Sequence, residues 1–169
     1  MSWYNLILFV LPAYFANAAP VMARGKTVVD LGRNFADGRR IFGDGKTFKG
    51  LVAGIVVGTF VGVLLAMAFA GFLPGLDFQT KTNVAFLLSV GTMAGDLLGS
   101  FIKRRINIPS GAQHEFFDQL LFLGGALLFA SPYYMPGVEE VIFLVIVTYA
   151  MHKLFDLIAH FLKLKKVPW

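Results

Sequence analysis

The chain has 169 residues, and 57% are hydrophobic before its 18 glycines are counted. Soluble domains sit near ~45–50% with glycine included, and a mean hydropathy of +0.69 agrees with the excess, which excludes a soluble enzyme, a disordered tail and a collagen-like chain. The net charge of +5 and the absence of cysteine suit an anionic small ligand or the anionic face of a membrane, exclude disulfide and thiolate chemistry, and give no reason to expect a nucleic-acid partner.

Five apolar runs, each near the ~20 residues that cross a bilayer core, fall at about 3–22, 51–73, 84–102, 116–135 and 141–162. The fold class expected is an all-α integral membrane protein, one transmembrane domain over residues 1–169. Runs such as Leu51–Phe72 lack the period-2 alternation of barrel strands, so helices are the way to satisfy their backbone in lipid. The first run ends in Ala16-Asn17-Ala18, which looks like a signal-peptidase site. It lacks the positively charged start of a signal peptide, however, and is followed by basic residues instead.

Arg24, Lys26, Arg33, Arg39, Arg40, Lys46 and Lys49 follow the first run; Lys103, Arg104 and Arg105 follow the third; Lys163, Lys165 and Lys166 follow the fifth. The opposite side carries Lys81. This alternation predicts five crossings with the N-terminus outside and the C-terminus in the cytoplasm. Two cytoplasmic loops, about 24–50 and 103–115, become the functional candidates.

The loop at 24–50 holds seven cations, three aspartates (Asp30, Asp37, Asp44) and six glycines. Glycines let backbone amides turn toward an anion, Lys46 adds a point charge, and the start of the second run adds its dipole. That is the chemistry of a polyphosphate cradle, although a basic loop that only fixes topology reads the same way. It is not a Walker A loop, because Arg40 stands where the first glycine belongs.

Gly50, Gly54, Gly58 and Gly62, and later Gly91, Gly95 and Gly99, recur every fourth residue. Such stripes allow close helix packing; the same smooth surface would also make a slot for a lipid tail. Charged residues within spans are costly and need a reason. Asn17, Asp96, Asp118, His152, Lys153, Asp156 and His160 all fall in the cytoplasmic halves, which predicts one polar recess opening inward. In the fifth run, snorkelling or a Lys153–Asp156 pair is an alternative. Asp96, Ser100 and Lys103 share a helical face, and two carboxylates facing basic loops suit a hard cation that bridges to substrate phosphates.

The segment Gly43-Asp44-Gly45-Lys46-Thr47-Phe48-Lys49-Gly50 resembles the Ser/Gly-x-Gly-Lys-Thr-Trp/Phe-x-Gly motif of the CTP-dependent phosphatidate cytidylyltransferases (CDP-diacylglycerol synthases). Gly95-Asp96, Ser100, Lys103-Arg104 and Asp118 resemble that family's C-terminal signature. After Arg104 the chain departs from the bacterial pattern, with Pro109–His114 as a reduced counterpart. The shortness, Asn17…Pro20 and Gly32–Arg40 are similar to the archaeal branch.

The resemblance implies CMP transfer from CTP to an isoprenoid glycerol ether phosphate lipid, with Mg²⁺ and release of pyrophosphate. On this reading Asp96 and Asp118 hold the metal, and Lys46 and Lys103 join them as catalytic residues. Gly43, Asp44, Gly45, Lys46, Thr47 and Lys49 form the phosphate cradle, with Asn17, Asn34 and Ser100 as polar positioners. Lys103, Arg104, Arg39 and Arg40 neutralise lipid and leaving-group charge. Two rival readings exist. A small transporter or channel subunit explains the intramembrane charges but not the glycine-lysine loop. A CDP-alcohol phosphotransferase needs a longer aspartate cluster, of which Asp37-Gly38-Arg39 is a fragment.

Overall fold

The computed structural model describes residues 1–23, 25–110 and 115–161. Readings that fall on Arg24, His114 and the C-terminal lysines, and on the side chains of His152, Asp156 and His160, lie outside the described residues. Five helices follow one another: α1 Trp3–Met22, α2 Phe48–Ala68, α3 Phe78–Arg105, α4 Glu115–Ala130 and α5 Val138–Phe161. Among the described residues β structure is confined to two isolated bridges, Val28 with Thr47 and Asn34 with Arg40.

The helix boundaries follow from capping chemistry and correct several hydropathy estimates. The second helix begins at Phe48, because the Thr47 hydroxyl accepts the Gly50 N–H as N-cap. It ends at Ala68 instead of 73, where Phe69 turns extended and the chain bends through Leu73 and Gly75 at positive φ. The third is longer than 84–102: Asp77 caps its start through Thr80, and Lys103, Arg104 and Arg105 form its last turn. Cations there meet the negative end of the helix dipole, so they belong to α3 and not to the loop that follows. The fourth stops at Ala130, before Pro132, in a turn where Tyr133 N–H donates to the Ala130 carbonyl.

Of these helices, α1, α2 and α3 are long and apolar enough to cross a membrane, while the apolar part of α4 is the shorter stretch Phe117–Ala130. At 1.5 Å per residue the 16 residues of α4 reach ~24 Å, less than a ~30 Å hydrocarbon core.

The chain divides into two units, Met1–Met135 and a second that begins at Pro136. In the first, α2 packs on α1 and α3, and α4 packs on α3. The glycine stripes make these contacts. A Cβ on Gly62 would collide with the Ala85 Cβ, and one on Gly95 with the Leu121 carbonyl oxygen. Both stripes are thus occupied by neighbouring helices, which leaves no smooth slot along them for a lipid tail. The core is Leu6, Phe9 and Val10 of α1, Val84 and Leu88 of α3, and Phe122 and Leu123 of α4. The outer face of α2 exposes Val52, Val56, Phe60, Leu64 and Met67, an apolar stripe suited to hydrocarbon. In the second unit, Glu140 accepts the Gly137 N–H at 2.9 Å, and the Lys153 ammonium lies 5.7 Å from the Tyr149 ring centre.

Candidate active site

The site lies at the end of the first unit where α1 and α3 finish and α2 and α4 begin. Residues 25–47 fold as a compact cap over that end. Val29 N–H donates to the Lys46 carbonyl at 2.8 Å and Phe48 N–H to the Thr27 carbonyl at 3.1 Å, so the strand-like ends of the loop are tied together. Between them Phe35 N–H donates to the Arg39 carbonyl at 2.7 Å, and Gly38 turns the chain at φ 77, where a side chain would be strained.

At the centre of this cap, the Asp30 carboxylate accepts N–H groups of Gly32, Phe42 and Gly43, each at 3.0 Å, and the Arg40 guanidinium at 2.8 Å. Burial opposes ionisation of Asp30, but the bonds from Arg40, Gly43, Phe42 and Gly32 outweigh it and hold the carboxyl well below its usual range. Arg40 in turn also holds Asp44 at 2.6 Å, and the hydrogen bonds it donates to both acids push its guanidinium further up.

The cap meets the helices through three contacts. First, Lys46 Nζ lies 2.6 Å from both carboxylate oxygens of Asp96. This pair lines a cleft of about 30 Å³ with Pro20, Gly45, Thr47, Gly50 and Met93, room for a water-sized group. Second, Gly43 stands against α3's end: a Cβ there would lie 2.7 Å from Ser110 Oγ and 3.5 Å from Arg104 Nη1. Ser110 Oγ accepts the Asp44 N–H at 3.2 Å. Third, Arg105 donates to the Arg40 carbonyl at 2.5 Å, pairs with Asp37 at 3.2 Å, and sits 5.0 and 4.8 Å from the Phe35 and Phe101 ring centres. Arg39 returns a bond to the Arg105 carbonyl.

Toward the same end of α3, Lys103 Nζ lies 2.7 Å from Asp118 Oδ1, joining α3 to α4. Gly99, one helical turn beyond Asp96, is where a Cβ would come 3.7 Å from Asp118 Oδ1. The two acids therefore approach the same stretch of α3, each with its own lysine. Arg104 is 7% exposed, yet its Nε and Nη1 have no hydrogen-bond partner among the described residues. A buried guanidinium in that state is costly unless an anion supplies acceptors.

The sequence-predicted residues thus separate into groups. Lys46, Asp96, Gly45 and Thr47 meet at the cleft, Lys103 and Asp118 pair with each other toward the same end of α3, and Arg104 reaches Gly43. Thr47 spends an acceptor site on its cap but keeps its hydroxyl proton for the cleft. Ser100 is buried on α3 and Asn17 half-buried one turn before Pro20, while Lys49 and Asn34 are exposed. Arg40 is held inside the cap by Asp30 and Asp44, and Arg39 reaches out to the Arg105 carbonyl of α3. Missed by spacing alone are Asp30, Ser110 and Arg105, together with Thr92 and Gln119, whose buried Oγ1 and Nε2 have no hydrogen-bond partner among the described residues.

The carboxylates available to a divalent cation at this end of the helices are those of Asp96 and Asp118, each paired with a lysine. Among the described residues, no group of three or more His, Asp or Glu side chains forms a closed metal cage. One or two carboxylates are a donor set that suits Mg²⁺, which completes its shell with water and substrate phosphates.

The sequence matches the family described as CarS-like, CDP-archaeol synthase, over residues 3–169. Relatives named CDP-archaeol synthase include one from Pyrococcus abyssi, 48% identical over 98% of each chain. Another, from Thermococcus kodakarensis, is 43% identical over the full length of both. A solved structure described as an intramembrane enzyme for archaeal membrane lipids biosynthesis superposes with a TM-score of 0.78 at 37% identity, covering 86% of this chain and 89% of that one. An enzyme family sets the transporter reading aside. The chain belongs to the CDP-archaeol synthase family, membrane-embedded cytidylyltransferases of archaeal lipid synthesis.

Proposed function

We propose that this protein transfers CMP from CTP to 2,3-bis-O-(geranylgeranyl)-sn-glycerol 1-phosphate, with Mg²⁺, giving CDP-activated unsaturated archaeol and pyrophosphate. All five helices serve as one transmembrane domain of the cell membrane, N-terminus outside, with the cap and the α3–α4 connection facing the cytoplasm. The observation that carries the reading is the convergence of Lys46–Asp96, Lys103–Asp118 and the unpaired guanidinium atoms of Arg104 at one end of the helices. Acids for a metal and cations for phosphates are the two requirements of phosphoryl-group chemistry.

In the reaction a lipid phosphate oxygen forms a bond to the α-phosphorus of CTP while the bond from that phosphorus to the bridging oxygen of pyrophosphate breaks. The lipid phosphate is already anionic, so no general base is needed, consistent with a site built of charges. Asp96 and Asp118 would hold Mg²⁺, which supplies charge neutralisation on the phosphates. Lys46 and Lys103 would then pass from the carboxylates to phosphate oxygens, and Arg104 would fill its empty donor positions with the leaving group or the lipid phosphate. Swinging Lys46 away also widens a cleft that is too small for a nucleotide while the ion pair is closed. Such preset positive charge lowers the barrier by positioning and electrostatics.

The test is pyrophosphate release from radiolabelled CTP by purified protein with Mg²⁺, comparing ether and ester lipid phosphates. Release that needs CTP, the ether lipid phosphate and the metal together is the expected result. Equal release after EDTA treatment, or none with any lipid phosphate, would sink the reading.

A further inference from the structure

One buried carboxylate has no part in the chemistry above. The Asp30 side chain has no exposed surface, and it does not line the cleft. Its Oδ1 takes the Gly32 N–H at 3.0 Å and Arg40 Nη2 at 2.8 Å; its Oδ2 takes the N–H groups of Phe42 and Gly43 at 3.0 Å and Arg40 Nε at 3.3 Å. Five donors fill the roughly four lone-pair sites of a carboxylate, so the group is fully committed to shaping the chain around it.

What it shapes is the start of the glycine-lysine segment. Gly43 adopts φ 97, a left-handed conformation open to glycine, and Asp30 grips it by its amide. The Gly43 carbonyl accepts the Lys46 N–H at 3.3 Å, and Lys46 reaches Asp96. On its other side Gly43 faces Arg104 Nη1, which with Nε of the same side chain has no hydrogen-bond partner among the described residues. One carboxylate thereby sets both walls of the anion site.

We propose that Asp30 is a positioning residue for the nucleotide triphosphate: by clasping Gly43, Phe42 and Arg40 it fixes the turn that aims Lys46 and leaves the Arg104 guanidinium open to phosphate. This rests on the nucleotide-transfer reading of the same site. Asp30 touches no reacting atom, so its removal acts on nucleotide binding and not on the lipid.

The experiment uses the full-length protein in detergent or nanodiscs. Asp30→Asn keeps the shape and removes the charge and one pair of acceptor sites. We expect the KM for CTP to rise about tenfold, with kcat and the lipid-phosphate KM within about threefold. Amide hydrogen exchange at Phe42 and Gly43 should accelerate, and the thermal midpoint should stay in place. An unchanged KM for CTP alongside faster exchange at those amides overturns the proposal. So does a parallel loss of kcat, both KM values and thermal midpoint, which marks a merely structural role. If Asp30→Asn fails to fold, Arg40→Gln loosens the same clasp with its three amide bonds kept. A rise in the CTP KM of about threefold is then expected, and no rise overturns the proposal. Failure of the underlying reading looks different: the wild-type protein itself would neither bind CTP nor release pyrophosphate, and this proposal would fall with it.

Discussion

At one end of the four-helix unit polar side chains serve their own backbone; at the other they join stretches far apart in sequence. Ser2 accepts the Asn5 N–H, and Asp77 accepts both the N–H and the hydroxyl of Thr80, three residues away in each case. At the opposite end Lys46 meets Asp96, 50 residues on, and Arg105 meets the Arg40 carbonyl, 65 residues back. A local bond stabilises a helix start and fixes nothing else. A distant bond between charged groups, in a chain that must hold charge near a membrane, fixes the geometry of one element against another. Positioned charge is what CMP transfer needs, so polarity that spans the fold is where the proposed site lies, and local polarity marks the helix caps.

Substitutions can break this contrast. The largest effect belongs to the acids: Asp96→Asn and Asp118→Asn should each lower CMP transfer by about 10³-fold, with little change in thermal midpoint. Activity near wild type in both would end the metal assignment. Lys46→Met should cost about 10²-fold in turnover. Combined with Asp96→Asn it should add less than the sum of the two, since the residues act as a unit, and steady-state kinetics of the double mutant measures this. Lys46→Met alone, with Asp96 intact, should bind Mn²⁺ without nucleotide more tightly than wild type, read by electron paramagnetic resonance, because the ammonium no longer competes for the carboxylate.

Away from the site the expected readout changes from turnover to stability. Gly62→Val forces a side chain onto Ala85 and should destabilise the bundle by about 1–3 kcal/mol, seen as a lower thermal midpoint with the KM for CTP unchanged. The smallest effect is at Asp77, where Asp77→Ala should lower the midpoint slightly and leave activity intact. Hydrogen bonds from the Thr80 hydroxyl and N–H pull the Asp77 carboxyl below its ordinary value of 3.8. Its contribution is therefore present above that value and is lost as the pH falls through the lowered native one. Wild type and variant should differ at neutral pH and converge in acid, and melting curves across pH check the sign.

The charges that the structure gathers at one end of the helices were conspicuous in the sequence. Lys46, Asp96, Lys103, Arg104 and Asp118 are charges set in or beside apolar runs, and their cost in lipid makes them conspicuous in any such chain. The helix ends were less legible. The apolar run through Phe69–Leu73 continues past the end of α2, because hydropathy does not register a left-handed turn at Leu73 and Gly75. Arg39 and Arg40 looked like phosphate ligands beside the glycines; the structure holds them on Asp30, Asp44 and the Arg105 carbonyl. Charge alone cannot distinguish a cation that waits for a ligand from one already paired inside a loop.

What the sequence determined is therefore whatever depends on neighbours a few residues apart: the helices, the glycine faces and the end of the chain's helices where polar groups collect. Those properties follow from side-chain transfer energies and the 3.6-residue repeat. Only the tertiary structure decided that Lys46 belongs to Asp96 and Lys103 to Asp118, that the glycine stripes are filled by helices, and that Asp30 organises the cap. Such pairings depend on where one helix crosses another, and no local spacing encodes that crossing.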